Sequence, residues 1–367
     1  MSKSVYIHIP FCEEICSYCD FCKMFYTENL VDKYLEKLKK EIEKNYKNES
    51  IETIYIGGGT PSSLNLKQLT KLFEIIKIFN LSKNIEFTFE CNLNIDNKKL
   101  ELLFKNKVNR LSFGVQSFNE KNLKFLNRNH NKEDIFNVIK NAKKIGFKNI
   151  NIDLIYALPN QTLKELDEDL DLFLKLDVNH ISTYSLIIEP NTILYNNKIK
   201  NIDEELDYKM YELIIKKLKD YNHYEISNFA KEGYESKHNL TYWNNLEYYG
   251  FGLSASGYIN NIRYDNTRSI NKYLKGNYIL NKEIIDINRE LEYEFILGFR
   301  KIKGINKNNF YQKYNINILD NKIIKKLINE NKLIDDNENI YINPKYIYVE
   351  NSILEEFINY KTYKQMI

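Results

Sequence analysis

At 367 residues the chain is long enough to bury a substantial core, as one large domain or two. Its 53 Lys and Arg against 50 Asp and Glu leave a net charge of +3, which argues against a nucleic-acid partner. No apolar run approaches the ~20 residues of a membrane span, and the opening MSKSVYIHIP lacks the apolar stretch of a signal peptide. The expected compartment is the cytoplasm, where thiols stay reduced and clustered cysteines point to metal or redox chemistry. Lys, Asn, Ile and Tyr are abundant throughout, so the 29 tyrosines carry little weight as a ligand signal.

Strand-like runs alternate with helical ones through the first half. SVYIHIP (4–10) precedes the amphipathic LVDKYLEKLKKEIEKNY. Then come IETIYIGGG (51–59), NIEFTFECN (84–92), VNRLSFGVQ (108–116), NINIDLIYALP (149–159) and HISTYSLII (180–188). Strand, helix, strand, repeated about six times, predicts a parallel α/β fold. Polar or glycine-rich motifs fall at the C-terminal ends of these strands: cysteines after the first, Gly57-Gly58-Gly59 after the second, Glu90 at the third, Gln116 at the fourth. That placement favours a partial (β/α)6-type barrel over residues 1–200, because barrels build their sites from that rim. Beyond it, IDEELDYKMYELIIKKLKDY predicts a helix, YEISNFA a further strand, and the stretch to about 275 a loop region; together 201–283 extend the barrel. Three helices and ENIYINPKYIYV, a hairpin or wing, predict a small winged-helix-like α+β domain over 284–367.

The stretch HIPFCEEICSYCDFC (8–22) holds four of the five cysteines. Cys12, Cys16 and Cys19 have the spacing C-x3-C-x2-C, which wraps a tight loop around one metal centre. Three thiolates leave one iron of a [4Fe–4S] cluster open to a further ligand. Structural zinc would use four thiolates in two well-separated pairs, and a bacterial ferredoxin run has a shorter first gap and a proline after the last cysteine. YIGGGTPSSL (55–64) offers backbone N–H groups that can approach an anion or an amino acid closely. Glu90, Gln116, Arg128 and Asp153 lie at or just past strand ends. Arg128 presents a fork suited to a carboxylate, and Glu90 and Asp153 can accept from hydroxyls or an amino group.

The cysteine spacing, with Tyr18 before the third cysteine, resembles the radical S-adenosylmethionine (radical SAM) signature. YIHIPFC, IYIGGGTPS, RLSFGVQSF, DLIYALPNQT, STYSLIIEPNT, YEISNFAK and KHNLTYWN occur in the order found in the oxygen-independent coproporphyrinogen III oxidase-like family. Within it the set is most similar to the heme chaperone branch. The oxidases resemble C-x3-C-x2-C-x-C and carry an extended segment before the first strand. Here Asp20 and Phe21 separate Cys19 from Cys22, few residues precede the first strand, and HNLTYW matches the chaperones' HNxxYW.

The resemblance implies that Cys12, Cys16 and Cys19 bind a [4Fe–4S] cluster. It implies that Tyr6, Tyr18, Gly58, Gly59, Thr60, Glu90, Gln116, Arg128 and Asp153 line an S-adenosylmethionine site. It further implies a chaperone that binds heme and passes it to hemoproteins without coproporphyrinogen III oxidase activity; the alternative is the oxygen-independent dehydrogenase of heme biosynthesis. A homodimer is one expectation. His238 is the candidate heme ligand, with Tyr242 and Trp243 beside the porphyrin. Cys22 stands where many chaperones have Asn or Ser, and we read it as a small buried residue rather than a fourth ligand. Cys91 and the remaining histidines, His8, His130, His180 and His223, are read as structural, with His130 an accessory to Arg128.

Overall fold

Period-two alternation decides the architecture. In a computed structural model that describes residues 3–358, six parallel strands run β1 (Lys3–Ile9), β2 (Ser50–Gly58), β3 (Asn80–Cys91), β4 (Arg110–Gln116), β5 (Asn149–Tyr156) and β6 (His180–Ser185). Val5, Ile7, Ile54, Ile56, Phe87, Phe89, Leu111, Phe113, Ile150, Ile152 and Ile181 are buried against the surrounding helices. The alternate positions are Tyr6, His8, Tyr55, Thr88, Glu90, Arg110, Ser112, Asn151, Asp153 and Ser182, so the other face of the sheet is polar. Tyr55 on β2 and Tyr184 on β6 line one cavity although three strands lie between them. The sheet is therefore curled, apolar outside and polar within.

Helices follow each strand and lie against the apolar face. Glu28–Asn45 buries Val31, Tyr34, Leu35, Leu38 and Ile42 at helical spacing. Leu66–Ile76 and Leu163–Lys175 open on capping boxes, Asn65 with Gln68 and Thr162 with Glu165, each stabilising by about 1 kcal/mol.

The sheet continues beyond β6 on one edge and beyond β1 on the other. Beyond β6 lie β7 (Asn222–Glu225) and β8 (Asn228–Ala230). YEISNFA is thus a corner between two antiparallel strands rather than one strand, because the chain turns at Ile226 and Ser227. On the other edge β9 (Tyr248–Phe251) runs parallel to β1, and β10 (Ser256–Ile259), β11 (Ile262–Asn266) and β12 (Ile279–Ile284) form an antiparallel meander. These strands occupy the stretch expected as a loop region, whose Tyr, Asn and Gly content masks short strands.

Glu41 ties this edge to the first helix. Its buried carboxylate accepts from Asn266 Nδ2 (2.6 Å), the Gly252 N–H (2.9 Å) and the Tyr273 hydroxyl. Burial raises Glu41 to about 7.

After β12 come helices Ile287–Gly298, Lys307–Tyr314 and Lys322–Asn329, with three short strands, Ile305–Asn306, Leu333–Asp335 and Asn339–Ile342. Phe295, Phe299, Phe310 and Phe357 form the local core. The expected hairpin across ENIYINPKYIYV is shifted. Leu333–Asp335 pairs with Asn339–Ile342, and Pro344, lacking an N–H, starts a 3-10 helix over Pro344–Val349.

Candidate functional site: two cavities either side of the cysteine loop

The cysteine loop is held at its neck and its tip. Phe11–Cys12 pairs with Met24–Phe25, with Met24 N–H donating to Pro10 O (2.8 Å) and Tyr26 N–H to Cys12 O (2.9 Å). At the far side Ser17 N–H and Oγ donate to the carbonyls of Leu126 and Phe125, and Asn127 Nδ2 donates to Ile15 O. Cys12, Cys16 and Cys19 line a cavity of about 480 Å³ at the barrel's C-terminal mouth. Burial pushes the Cys12 thiol up to about 11 and raises Cys19 as well. Such thiols keep their protons at neutral pH unless a cation takes the proton's place.

The glycine motif closes the opposite wall. Gly58 adopts φ +115°, a conformation that favours glycine, and its N–H donates to Glu90 Oε2 (3.0 Å). A Cβ on Gly59 would meet Pro10 C at 2.8 Å and Cys12 Sγ at 3.0 Å. The backbone therefore approaches the cysteine loop as closely as chemistry permits. Thr60 Oγ1 donates to Cys12 Sγ (3.6 Å).

Below the loop the charges converge. Glu90 accepts from the Tyr55 hydroxyl (2.7 Å); its burial lifts the carboxyl to about 7. Asp153, also raised by burial, accepts from Asn151 Nδ2 (2.8 Å). Arg128 Nη2 donates to the Tyr18 hydroxyl (3.0 Å). Gln116 Oε1 and Arg128 Nε are buried without a hydrogen-bond partner among the described residues. Unpartnered polar atoms are costly, and here they line a cavity sized for a small molecule. Gln116 also sits at φ +68°, held by the turn behind it: Asp169 accepts from Ser117 Oγ (2.5 Å) and Phe118 N–H (2.9 Å).

The structure thus brings Tyr18, Gly58, Gly59, Thr60, Glu90, Gln116, Arg128 and Asp153 to one cavity with the three cysteines. Tyr6 lies outside it, on the wall of a second cavity. Sequence reasoning missed Arg110, Ser112, Asn151, Ser182 and Tyr184, which line the first cavity. Their signal was present: Arg110, Ser112, Gly114 and Gln116 occupy every second position of one strand. His130 bonds to Val115 O (3.0 Å) rather than to Arg128.

His238 requires a correction. It is 1% exposed, with Nδ1 on Thr53 Oγ1 (2.7 Å) and Nε2 on the Tyr242 hydroxyl (2.7 Å), and burial drops its pKa to about 3. Neither nitrogen is free for iron, and the ring lines neither cavity. Cys22 also departs from expectation. It is half-buried rather than buried, and lines the second cavity, of about 400 Å³, together with Tyr242 and Trp243.

Among the described residues no three Cys, His, Asp or Glu side chains converge as a single metal ion requires. An iron–sulfur cluster takes each thiolate on a separate iron, and Cys12, Cys16 and Cys19 all line this cavity. The donor set, the unpartnered polar atoms and the glycine wall fit a cluster with a polar cosubstrate beside it, the arrangement of a radical SAM protein. The Radical SAM superfamily model matches residues 6–173. The E. coli coproporphyrinogen III oxidase HemN, described as a radical SAM enzyme, shares the fold with a TM-score of 0.86 at 23% identity, over 98% of this chain and 90% of that one.

Closer similarity lies elsewhere. "Heme chaperone HemW" of Lactococcus lactis is 40% identical, with 97% of each chain covered. That of Bacillus subtilis is 39% identical over 97% of this chain and 99% of its own. The chain belongs to the HemW heme chaperone family of radical SAM proteins.

Proposed function

We propose that this protein binds heme and delivers it to hemoproteins, on a scaffold that holds a [4Fe–4S] cluster and S-adenosylmethionine. The observation that carries this is identity of about two residues in five to a heme chaperone over 97% of both chains. Cys12, Cys16 and Cys19 hold the cluster. Arg128 would pair with the methionine carboxylate, Glu90 with the ammonium, and Asp153 with the ribose hydroxyls, while Gly58, Gly59 and Thr60 would supply a close backbone wall. When bound, cluster and cosubstrate supply an electron and a cleavable sulfonium. The chain's own part is to fix orientation: Asp169 holds the Gln116 turn, and Asn151 holds Asp153.

We further infer a cytoplasmic protein that self-associates and has no nucleic-acid partner. Its near-balanced charge supports the last of these. No helix among the described residues is long and apolar enough to cross a membrane.

The test is a heme titration into anaerobically reconstituted protein, followed by mixing with an apo-hemoprotein. Stoichiometric Soret absorbance that then moves to the acceptor is expected. Absence of binding, with turnover of coproporphyrinogen III when S-adenosylmethionine, a reductant for the cluster and a terminal electron acceptor are supplied, would reassign the chain to the dehydrogenase.

A further inference from the structure

The fourth cysteine of the loop faces away from the other three. Cys12, Cys16 and Cys19 line the cofactor cavity; Cys22 lines the second one, and the Asp20–Phe21 segment is a wall common to both. The loop is a partition, with different chemistry on its two sides.

On the Cys22 side the walls are aromatic and aliphatic. Phe21, 61% exposed, and Leu246, 49% exposed, stand at the opening, and Tyr242, Trp243, Tyr248 and Leu297 lie behind them. Two guanidiniums complete the wall. Arg263 lies 4.0 Å from the Tyr293 ring centroid and 4.5 Å from that of Tyr258, and donates to the neutral Asn245 Oδ1 (2.7 Å). Its Nε is buried without a partner among the described residues. Arg268, exposed, donates to Asp20 O (3.2 Å). Aromatic and aliphatic walls, forked cations and a soft donor together suit a planar, dianionic metal complex.

The soft donor is Cys22. Its sulfur has only weak thiol contacts, 3.8 Å to Arg268 O and one to the Ser254 side chain, both of which a bond to iron would outweigh. The imidazole that also lines this cavity is engaged: His8 Nδ1 meets the Tyr6 hydroxyl at 3.0 Å and Nε2 the Cys22 carbonyl at 2.8 Å. Thiolate is an established axial ligand for heme iron.

We propose that this second cavity is the heme pocket, with Cys22 sulfur the axial ligand and Arg263 and Arg268 the propionate partners. The inference rests on the heme-binding function proposed above and assigns its site. Ligation replaces the S–H bond by an S–Fe bond: the thiol proton passes to solvent and the water or hydroxide on ferric heme leaves. No electron is transferred.

The experiment titrates ferric heme, and separately its dimethyl ester, into reconstituted full-length wild type, Cys22→Ser and the Arg263→Gln/Arg268→Gln double variant. Soret position, the low-spin EPR signal, cluster iron and sulfide, and circular dichroism are read together. Cys22→Ser is expected to shift the Soret band and remove the thiolate EPR signal at wild-type cluster content. The double variant is expected to weaken heme binding by about tenfold or more and leave the dimethyl ester unaffected. A Cys22→Ser spectrum identical to wild type overturns the pocket assignment and leaves the chaperone function standing. Loss of cluster iron and sulfide in Cys22→Ser also overturns it, by placing Cys22 on the cluster. Failure of wild type to bind heme removes the function itself.

Discussion

The two cavities flank one loop yet are built in opposite ways. The cofactor cavity is lined by side chains at matching heights on successive strands of one curled sheet, with Glu90 level with Ser112 and Asp153 with Ser182. Its charges are buried, and most are held by hydrogen bonds from within the barrel. The second cavity gathers residues from β1, the cysteine loop, the segment 242–268 and the helix at Leu297, and it opens past exposed Phe21 and Leu246. A site made of consecutive strands is rigid and pre-organised, as cofactor chemistry requires. One made of an edge meander and a loop can widen to take up and release a bulky ligand.

The sharpest way to break this contrast is at the cysteines. Cys16→Ser should leave the loop fold intact but abolish the cluster. Iron and sulfide should fall to background after anaerobic reconstitution, because two thiolates cannot replace three around the cluster. Retention of a full cluster in Cys16→Ser would mean that Cys22 substitutes for it and that the loop is not a partition.

A smaller effect is expected behind the cofactor cavity. Asp169→Ala leaves the Ser117 hydroxyl and the Phe118 N–H without an acceptor and frees the Gln116 turn. Unfolding free energy should drop by roughly 2–3 kcal/mol, read by urea denaturation of the cluster-free chain. Binding of S-adenosylmethionine should weaken as well. Undiminished binding would show that Gln116 needs no positioning.

Glu90 sets the pH response of the same cavity. Its carboxyl titrates at about 7 when folded against 4.5 for the free group, the shift coming from burial with Asp153 adding to it. Between those values the unfolded chain has lost this proton and the folded chain keeps it. Its contribution to stability therefore falls as pH rises from about 4.5 to about 7, by up to ~1.4 kcal/mol per unit, and is level above. An ammonium group on the ligand favours the carboxylate, so affinity for S-adenosylmethionine should climb over the same window. Glu90→Gln should flatten both profiles; calorimetry in buffers of different ionisation enthalpy reads the released proton.

How far each cavity was legible in the sequence follows from the same contrast. Cysteine spacing, GGG, Glu90, Gln116 and Asp153 are local marks at strand ends, and alternation places them on one face. Arg110 escaped because a charge near the start of an apolar strand reads as a boundary, although its register with Ser112 and Gln116 points it inward. The second cavity has no local mark. β9 to β12 are short and rich in Tyr and Asn, and only the pairing of β9 with β1 brings residues near 250 beside Tyr6. His238 misled for a physical reason: the HNLTYW stretch does border that cavity, but through Tyr242 and Trp243.

The smallest effect expected is therefore at His238. The ring bridges Thr53 on β2 and the Tyr242 hydroxyl, so its role is to fix the helix Lys237–Trp243 against the barrel and with it one wall of the second cavity. His238→Gln can keep one of those two bonds, since the side-chain amide donates and accepts from atoms close to the imidazole nitrogens. Stability should fall by about 1 kcal/mol and heme affinity change by no more than about threefold. The Soret position and EPR signal of bound heme should match wild type, because the iron's ligand is unchanged. A shifted Soret band in His238→Gln at wild-type circular dichroism would return the imidazole to the iron. It would require the Thr53 and Tyr242 bonds to open on heme binding, a rearrangement of the Lys237–Trp243 helix that a hinge at Ser236 would have to absorb.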